Sequence, residues 1–210
     1  LIKKSMFIEQ GIKPENKFWK YILGFLLFMI AYTIGQVPFT LAVLYKSTSM
    51  GKGIPTDPSE LMNVLDSNLT LFLLLLTFVA AFIGIYIAVR YINQQKFIEI
   101  VTARKKVDWN RVFFSFSLWA VFTIVSIAIM YYTSPQDFVV NFNLVPFLGL
   151  AVIAILLIPI QTSTEEFVFR GYLMQGFGTL FLNKWAPLLT TSVLFGLMHI
   201  ANPEVGKIGY

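Results

Sequence analysis

Two adjacent carboxylates are the residues of this sequence whose types and spacing most suggest chemistry. They are Glu165 and Glu166, in the run QTSTEEFVFRGYLMQGF, which also contains Arg170. On a helix, Glu166 and Arg170 share a face and can form an ion pair. Glu165 lies about 100° further round the helix and is left without that partner. Ionisable groups beside apolar helices are costly and by default mark a functional site.

The chain has a single histidine, His199, and a helical hairpin would bring it to the carboxylates. We expect helices over Glu165–Leu182 and Trp185–Ile200, joined by a short turn, to be antiparallel neighbours. Glu165 lies about 18 residues before that turn and His199 about 16 after it, so at 1.5 Å per residue their heights nearly match. A carboxylate and an imidazole in a poorly hydrated cavity could hold and deprotonate a water molecule, which is general-base hydrolysis.

A purely structural interpretation of the same residues stays open. Ser163 and Glu166 have the spacing of a capping box, with Pro159 just upstream, so the acidic pair could simply begin a helix. A lone histidine near a helix end is also, by itself, more often a surface or hydrogen-bonded residue than a catalyst. The segment alone does not separate the two interpretations.

Composition excludes several other kinds of site. With no cysteine there is no disulfide, thiol nucleophile or thiolate metal site, and one histidine excludes the HExxH zinc helix. The sequence supplies no closed set of zinc ligands, so we predict neither a metal nor another cofactor, and we leave metal dependence open. No basic stripe with interleaved aromatic residues suggests nucleic-acid binding.

The elements that must position these residues are membrane helices. The 210 residues are 57% hydrophobic and only 13% charged, with a mean hydropathy of +0.72. A bilayer core needs roughly 20 apolar residues per span. We therefore predict an all-α, polytopic membrane helical bundle in a single domain (1–210), with about four full spans and a hairpin at 165–200 that carries the site. The charge-free runs that predict the spans are Tyr21–Tyr45, Ser67–Val89, Val112–Gln136 and Phe138–Thr164.

Loop charges predict the orientation of the bundle. The N-terminal segment 1–20 and the loop 90–111 are rich in lysine and arginine, whereas the loop 46–66 is mixed in charge. By the positive-inside rule, the two basic segments are cytoplasmic and 46–66 is extracytoplasmic. The net charge of +5 is then explained by topology and by attraction to anionic membrane lipids. Glu165 is expected near the cytoplasmic face.

Two short motifs resemble a known family. EEFVFRG at Glu165–Gly171 fits EExxxR, and FGLMH at Phe195–His199 fits FxxxH, in the expected order and separation. These look like the first two motifs of the CPBP intramembrane proteases, which include the type II CAAX prenyl endopeptidases and the bacteriocin-processing and self-immunity (Abi) proteins. The resemblance implies a helical membrane fold with a polar cavity open to the cytoplasm. It also implies a protein of a bacterial cell membrane that cleaves a membrane-associated peptide or protein.

The resemblance also implies roles for individual residues. The catalytic set would be Glu165, Glu166 and His199, in which Glu165 activates a water molecule and His199 assists. Glu166 and Arg170 would support and orient the site, and Phe195 would pack beside the histidine. The implied substrates are prenylated C-terminal tails, bacteriocin leaders and other membrane-proximal peptides, and the sequence does not choose among them or fix an oligomeric state.

A third motif of the family, a later histidine followed by Asn or Asp that stabilises the oxyanion, has no match in the sequence. We expect it beyond Tyr210, on C-terminal helices that this sequence lacks. Losing one oxyanion donor typically costs about 10²–10³ in rate, so residues 1–210 alone are expected to hydrolyse little or nothing. The alternative is a non-enzymatic bacteriocin self-immunity or scaffold membrane protein that uses the same fold, and a proton-coupled transporter ranks last.

Overall fold

The computed structural model describes residues 7–51, 53, 55, 57–181 and 183–200, and every regular element among them is helical. The predicted end of the first hairpin helix at Leu182 and part of the basic segment 1–20 lie outside these residues. The α-helices are α1 (Phe18–Ser49), α2 (Pro58–Met62), α3 (Ser67–Ile87), α4 (Ile98–Val101), α5 (Trp109–Thr133), α6 (Leu144–Glu166), α7 (Met174–Gly178) and α8 (Trp185–Ile200). Short 3₁₀ turns lie at Ile8–Gly11 and Pro135–Asp137, and π-helical turns at Ala88–Ile92 and Phe167–Leu173.

Four helical stretches in the described part of the chain are long and apolar enough to cross a bilayer. They confirm the four predicted spans. Most ends lie within about six residues of the predicted ones, but the fourth span continues to Gly178, well past the predicted end at Thr164. Asp66 caps the start of α3 by accepting hydrogen bonds from the backbone N–H groups of Asn68 and Leu69. Asp108 caps α5 in the same way through Arg111. The spans are Phe18–Ser49, Ser67–Ile92, Trp109–Thr133 and Leu144–Gly178.

The fourth span corrects one prediction. No helix begins at Glu165, because α6 runs through Glu166 into the π turn and then into α7. Ser163 is therefore inside the helix and does not form a capping box. An unwound turn at this depth would leave backbone N–H and C=O groups unpaired in hydrocarbon, so the apolar run from Leu144 keeps the helix continuous. The first arm of the predicted hairpin is the end of the fourth span.

Helices α1 and α3 pack closely through glycines. Gly35 is buried, and its carbonyl accepts a hydrogen bond of 3.1 Å from Thr77 Oγ1. A Cβ on Gly35 would lie only 2.8 Å from the Thr77 Cα. On the other side of the interface, a Cβ on Gly84 would lie 3.3 Å from the Phe28 Cα. Small residues that let two backbones approach are the usual basis of helix association in membranes. By contrast, α5 buries none of its residues.

The apolar core lies at one end of the bundle, where the π turn of the fourth span meets α1, the end of α3 and the short helix α4. Gly171 approaches closely enough that a Cβ there would lie 2.5 Å from the Ile100 carbonyl oxygen. The lack of a side chain at Gly171 lets α4 pack against the π turn. The buried apolar residues of this core include Tyr21, Phe28, Ile85, Val89, Ile100, Val168, Phe169 and Tyr172.

A buried amide network closes the same end of the bundle. Gln175 Nε2 donates to the carbonyl oxygens of Phe7 (3.1 Å) and Glu99 (2.7 Å). Its Oε1 accepts a hydrogen bond of 3.2 Å from Gln95, which is fully buried. The hydroxyl of Tyr172 donates to Asn93 Oδ1 at 2.7 Å. The network therefore ties the N-terminal segment and the 93–102 loop to the end of the fourth span.

Because Gly35 meets backbone atoms of α3, we predict that Gly35→Ala lowers the free energy of unfolding by about 1–3 kcal/mol through overpacking. The measurement is thermal unfolding of the purified protein in detergent. Gly196→Ala is the matched control, since nothing lies within 4 Å of a Cβ at that position of α8. Equal stability of the two variants would show that α1 and α3 are not held at this distance.

Candidate active site

A cavity of about 240 Å³ lies between α1, α3, the fourth span and α8. Two of its polar residues are Glu165 and His199, which come from different helices. The remaining lining is mostly aromatic or thioether side chains. The full lining is Phe28, Met29, Tyr32, Phe78, Gln161, Glu165, Phe169, Met198 and His199. The structure therefore places at one cavity the carboxylate and the imidazole that the predicted hairpin put at nearly the same height.

Glu165 is held from its own helix. Gln161, four residues earlier on α6, donates a hydrogen bond of 3.3 Å from Nε2 to Glu165 Oε1. Both side chains are partly buried at the wall of the cavity. Among the described residues the second oxygen, Oε2, has no hydrogen-bond partner, so it can accept a proton from a bound molecule. A carboxylate held in this way can act as a general base.

His199 is also held from one turn earlier. Its Nδ1 lies 2.8 Å from the Phe195 carbonyl oxygen. A carbonyl oxygen only accepts hydrogen bonds, so this partner assigns the proton to Nδ1. In the neutral ring, Nε2 is then the nitrogen that accepts a proton. The ring also packs on Phe195, with the two ring centroids 4.3 Å apart.

Glu166 is placed differently from Glu165. It forms the predicted ion pair with Arg170, and it does not line the cavity. Both side chains of the pair are 51% exposed. The structure therefore separates the two adjacent carboxylates. Glu165 lines the cavity together with the histidine, and Glu166 is paired with Arg170 on an exposed face. The catalytic role predicted for Glu166 stays a prediction, and the ion pair favours the orienting part of it.

Phe195 contacts both the exposed ion pair and the histidine of the cavity. The Arg170 guanidinium lies over its ring, 4.9 Å from the centroid. Its edge meets Phe169, with centroids 5.2 Å apart, and its other contact is the His199 ring. The ring is therefore packed between the ion pair and the histidine.

Sequence reasoning missed the other residues of the cavity wall. Gln161 could have been found, because it stands four residues before Glu165, and side chains at that spacing meet on a helix. Tyr32 and Phe78 could not, because they belong to α1 and α3, and no local pattern reports which residues of distant helices face each other. Among the described residues, no group of three or more His, Asp or Glu side chains forms a candidate metal site.

A second cavity of about 280 Å³ adjoins the first and shares Phe169 and Met198 with it. Its other lining residues are apolar apart from the Tyr21 hydroxyl, which is already bound to the Gly11 carbonyl. The polar cavity thus opens beside an apolar one. Together the two cavities could hold a ligand in which a polar group lies next to an apolar group.

Comparison with known proteins gives one family match and one curated relative for this chain. Residues 143–209 match the family model of Rce1-like type II CAAX prenyl endopeptidases. The chain is also similar to the uncharacterized protein YyaK of Bacillus subtilis (strain 168), at 32% identity over 197 residues. That match covers 93% of this chain and 65% of YyaK, so the chain spans less than two thirds of the length of this curated relative. No solved structure matches.

The fold and the site together define a multi-pass membrane protein whose cavity pairs a glutamate with a histidine. The family match confirms the resemblance to the type II CAAX prenyl endopeptidases, and both motifs lie within the matched residues. That family is one of proteases. The match rests on sequence, and the geometry of the cavity is an independent observation that agrees with it.

We predict that Arg170 stabilises the protein through Phe195 as well as through Glu166. In a double-mutant cycle of Arg170→Gln and Phe195→Leu, the coupling free energy should be about 0.5–1 kcal/mol, because the guanidinium lies over the ring. Glu166→Gln alone should cost less than about 1 kcal/mol, since its ion pair is half exposed. The coupling free energy and the cost of Glu166→Gln are both measured by unfolding of the purified variants in detergent. Additive effects of Arg170→Gln and Phe195→Leu would show that the stacking contact contributes nothing.

Proposed function

We propose that the protein is an intramembrane endopeptidase that hydrolyses a peptide bond of a membrane-associated peptide or protein. Glu165 activates the attacking water, and His199 assists. The observation that carries the proposal is the shared cavity: Glu165 from α6 and His199 from α8 line one small space. Each is tethered by one atom to a residue four positions earlier, which leaves one oxygen and one nitrogen without a hydrogen-bond partner in the described part of the chain.

The reaction follows from these free atoms. Glu165 Oε2 takes a proton from the water as its oxygen attacks the carbonyl carbon, and the carbonyl π electrons move to oxygen. When the tetrahedral intermediate collapses, the C–N bond breaks and the amine nitrogen takes up the proton, passed on from Glu165 or through His199 Nε2. The products are a carboxylic acid and an amine, and transfer of the acid's proton to the amine gives a carboxylate and an ammonium group. General acid–base catalysis of this kind typically contributes about 10²–10⁴ in rate.

The surroundings of the cavity support an apolar substrate. Phe28, Met29 and Phe78 wall one side, and the adjoining apolar cavity opens beside Phe169 and Met198. Few competing dipoles surround the reacting groups, so each hydrogen bond to them is stronger than it would be in water. A peptide that lies in or at the membrane, with a prenylated tail or a leader sequence, suits such a site.

We further propose that the protein resides in a bacterial cell membrane with its N-terminus in the cytoplasm and that it binds anionic membrane lipids. Two contacts support this orientation. Lys13 of the basic N-terminal segment pairs with Glu99 at 2.7 Å, and Gln10 donates to the carbonyl of Thr102 at 3.3 Å. The two basic segments thus lie at the same end of the bundle. Both fit the cytoplasmic, anionic leaflet.

The absence of cysteine from the sequence makes this orientation directly testable. We predict that a cysteine at Gly53, in the loop 46–66, reacts with a membrane-impermeant maleimide on intact cells. A cysteine at Lys105 should react only after the membrane is permeabilised. The unsubstituted protein is the background control for labelling. Labelling of the Lys105 variant on intact cells, with the Gly53 variant protected, would invert the proposed topology.

We predict that Glu165→Gln lowers kcat/KM by at least about 10²-fold, because the substitution keeps the shape of the side chain and removes the base. The full-length protein in proteoliposomes is given a quenched-fluorescent farnesylated CAAX peptide. In parallel it is given a mixture of unprenylated membrane peptides, read by mass spectrometry. Glu166→Gln is the matched control, and its loss should be smaller because Glu166 lies outside the cavity.

Two outcomes would contradict the proposed hydrolysis. One is wild-type protein that cleaves neither the farnesylated peptide nor any unprenylated peptide. The other is Glu165→Gln protein that cleaves as fast as wild type. If bacteriocin tolerance of cells also survives Glu165→Gln, the function is the non-enzymatic self-immunity or scaffold role.

A further inference from the structure

The two adjacent carboxylates have chemically different partners. Glu166 is paired with a cation, the guanidinium of Arg170. Glu165 instead accepts a hydrogen bond from a neutral amide, Gln161 Nε2, at 3.3 Å. A cation would stabilise the charge of a carboxylate and weaken it as a base, whereas a neutral donor restrains the group with a smaller effect on its charge.

The geometry points to Gln161 as the positioning residue of Glu165; this inference rests on the proposed function. A glutamate side chain has several rotatable bonds, and its terminal one is only weakly restricted. With Oε1 bound to Gln161, rotation of the carboxylate is restrained and Oε2 is kept for the water. Catalytic groups must be held within a fraction of an ångström of their working position, so such a restraint acts directly on the rate.

The location of Gln161 distinguishes this role from ordinary helix stabilisation. Pairs four residues apart stabilise many exposed helices, but this amide lines the cavity with Glu165 and His199. His199 is held in a parallel way, by Nδ1 on the Phe195 carbonyl four residues earlier. Each reacting group is thus restrained by a neutral hydrogen-bonding group from the preceding turn of its own helix.

The test is Gln161→Met in the full-length protein, with cleavage of the farnesylated CAAX peptide or of any peptide that the wild type cleaves. Methionine has nearly the same length and lacks the donor. We expect kcat to fall about 10- to 100-fold, the effect of losing one hydrogen bond to a charged group. Tm should stay unchanged, because methionine keeps the packing, and KM should change less than kcat, because the lost donor is the one bound to Glu165. Gln161→Glu keeps the shape and adds a like charge beside Glu165, so its kcat should fall further.

Thr162→Val is the matched control. Thr162 is the next residue along, it is exposed, and its hydroxyl bonds to the Ile158 carbonyl of its own helix. This variant should keep the wild-type kcat. A loss of kcat in Gln161→Met that comes with an equal loss in Thr162→Val, or with a lowered Tm, would mean that Gln161 only supports the helix and would overturn the inference.

A second arm separates this inference from the proposed function. In the Glu165→Gln background, Gln161→Met should cause no further loss, because Gln161 acts through the carboxylate. If Glu165→Gln abolishes cleavage while Gln161→Met retains the wild-type kcat, hydrolysis by Glu165 stands and the positioning role is wrong. If Glu165→Gln itself retains wild-type cleavage, the proposed function fails first.

Discussion

The site depends on the requirement that backbone polar groups inside a bilayer be paired within their own helix. That requirement keeps the fourth span continuous from Leu144 to Gly178, about 52 Å at 1.5 Å per residue, past the acidic pair and past Pro159. The only departure from regular α geometry there is the π turn Phe167–Leu173, directly after Glu166. Such turns are frequent at functional sites. Here the turn lies between the cavity wall on α6 and the buried amide network, and it contributes Tyr172 to that network.

On this continuous helix, a difference of one residue decides which carboxylate faces the cavity. Successive side chains are about 100° apart, so Glu165 and Glu166 cannot both face α8. Glu165 lines the cavity beside His199, and Glu166 pairs with Arg170 on an exposed face. The arginine also covers Phe195, whose ring packs on the histidine. Glu166, outside the cavity, is therefore connected to the histidine through Arg170 and Phe195. Glu165 lines the cavity and has one oxygen without a hydrogen-bond partner among the described residues.

Some of this arrangement could be predicted from sequence, and the physical reasons are plain. Long apolar runs report spans, because hydrocarbon thickness fixes their length, and the spacing of Glu166 and Arg170 reports their pair, because the helix repeat is fixed. The helix start expected at Glu165, with Ser163 as its possible cap, was wrong, because capping preferences describe helix ends in water and not a span in lipid. Gln95 and Gln175 were missed, because an amide hydrogen bond between residues 80 positions apart leaves no local pattern.

The positions of Glu165 and His199 along their helices are set at the end of the bundle rather than in the cavity. Asn183 Oδ1 accepts hydrogen bonds from the backbone N–H groups of Trp185 (3.0 Å) and Ala186 (2.9 Å), which fixes where α8 begins. His199 lies about 21 Å along the helix from that start. Glu165 lies about 15 Å before Gln175, whose amide is anchored to Phe7 and Glu99. A helix is stiff along its axis, so the start of α8 sets how far along that helix His199 lies, and the anchored Gln175 does the same for Glu165 on the fourth span. The polar network and the helix cap, both remote from the cavity, therefore contribute to which residues of the two helices line it.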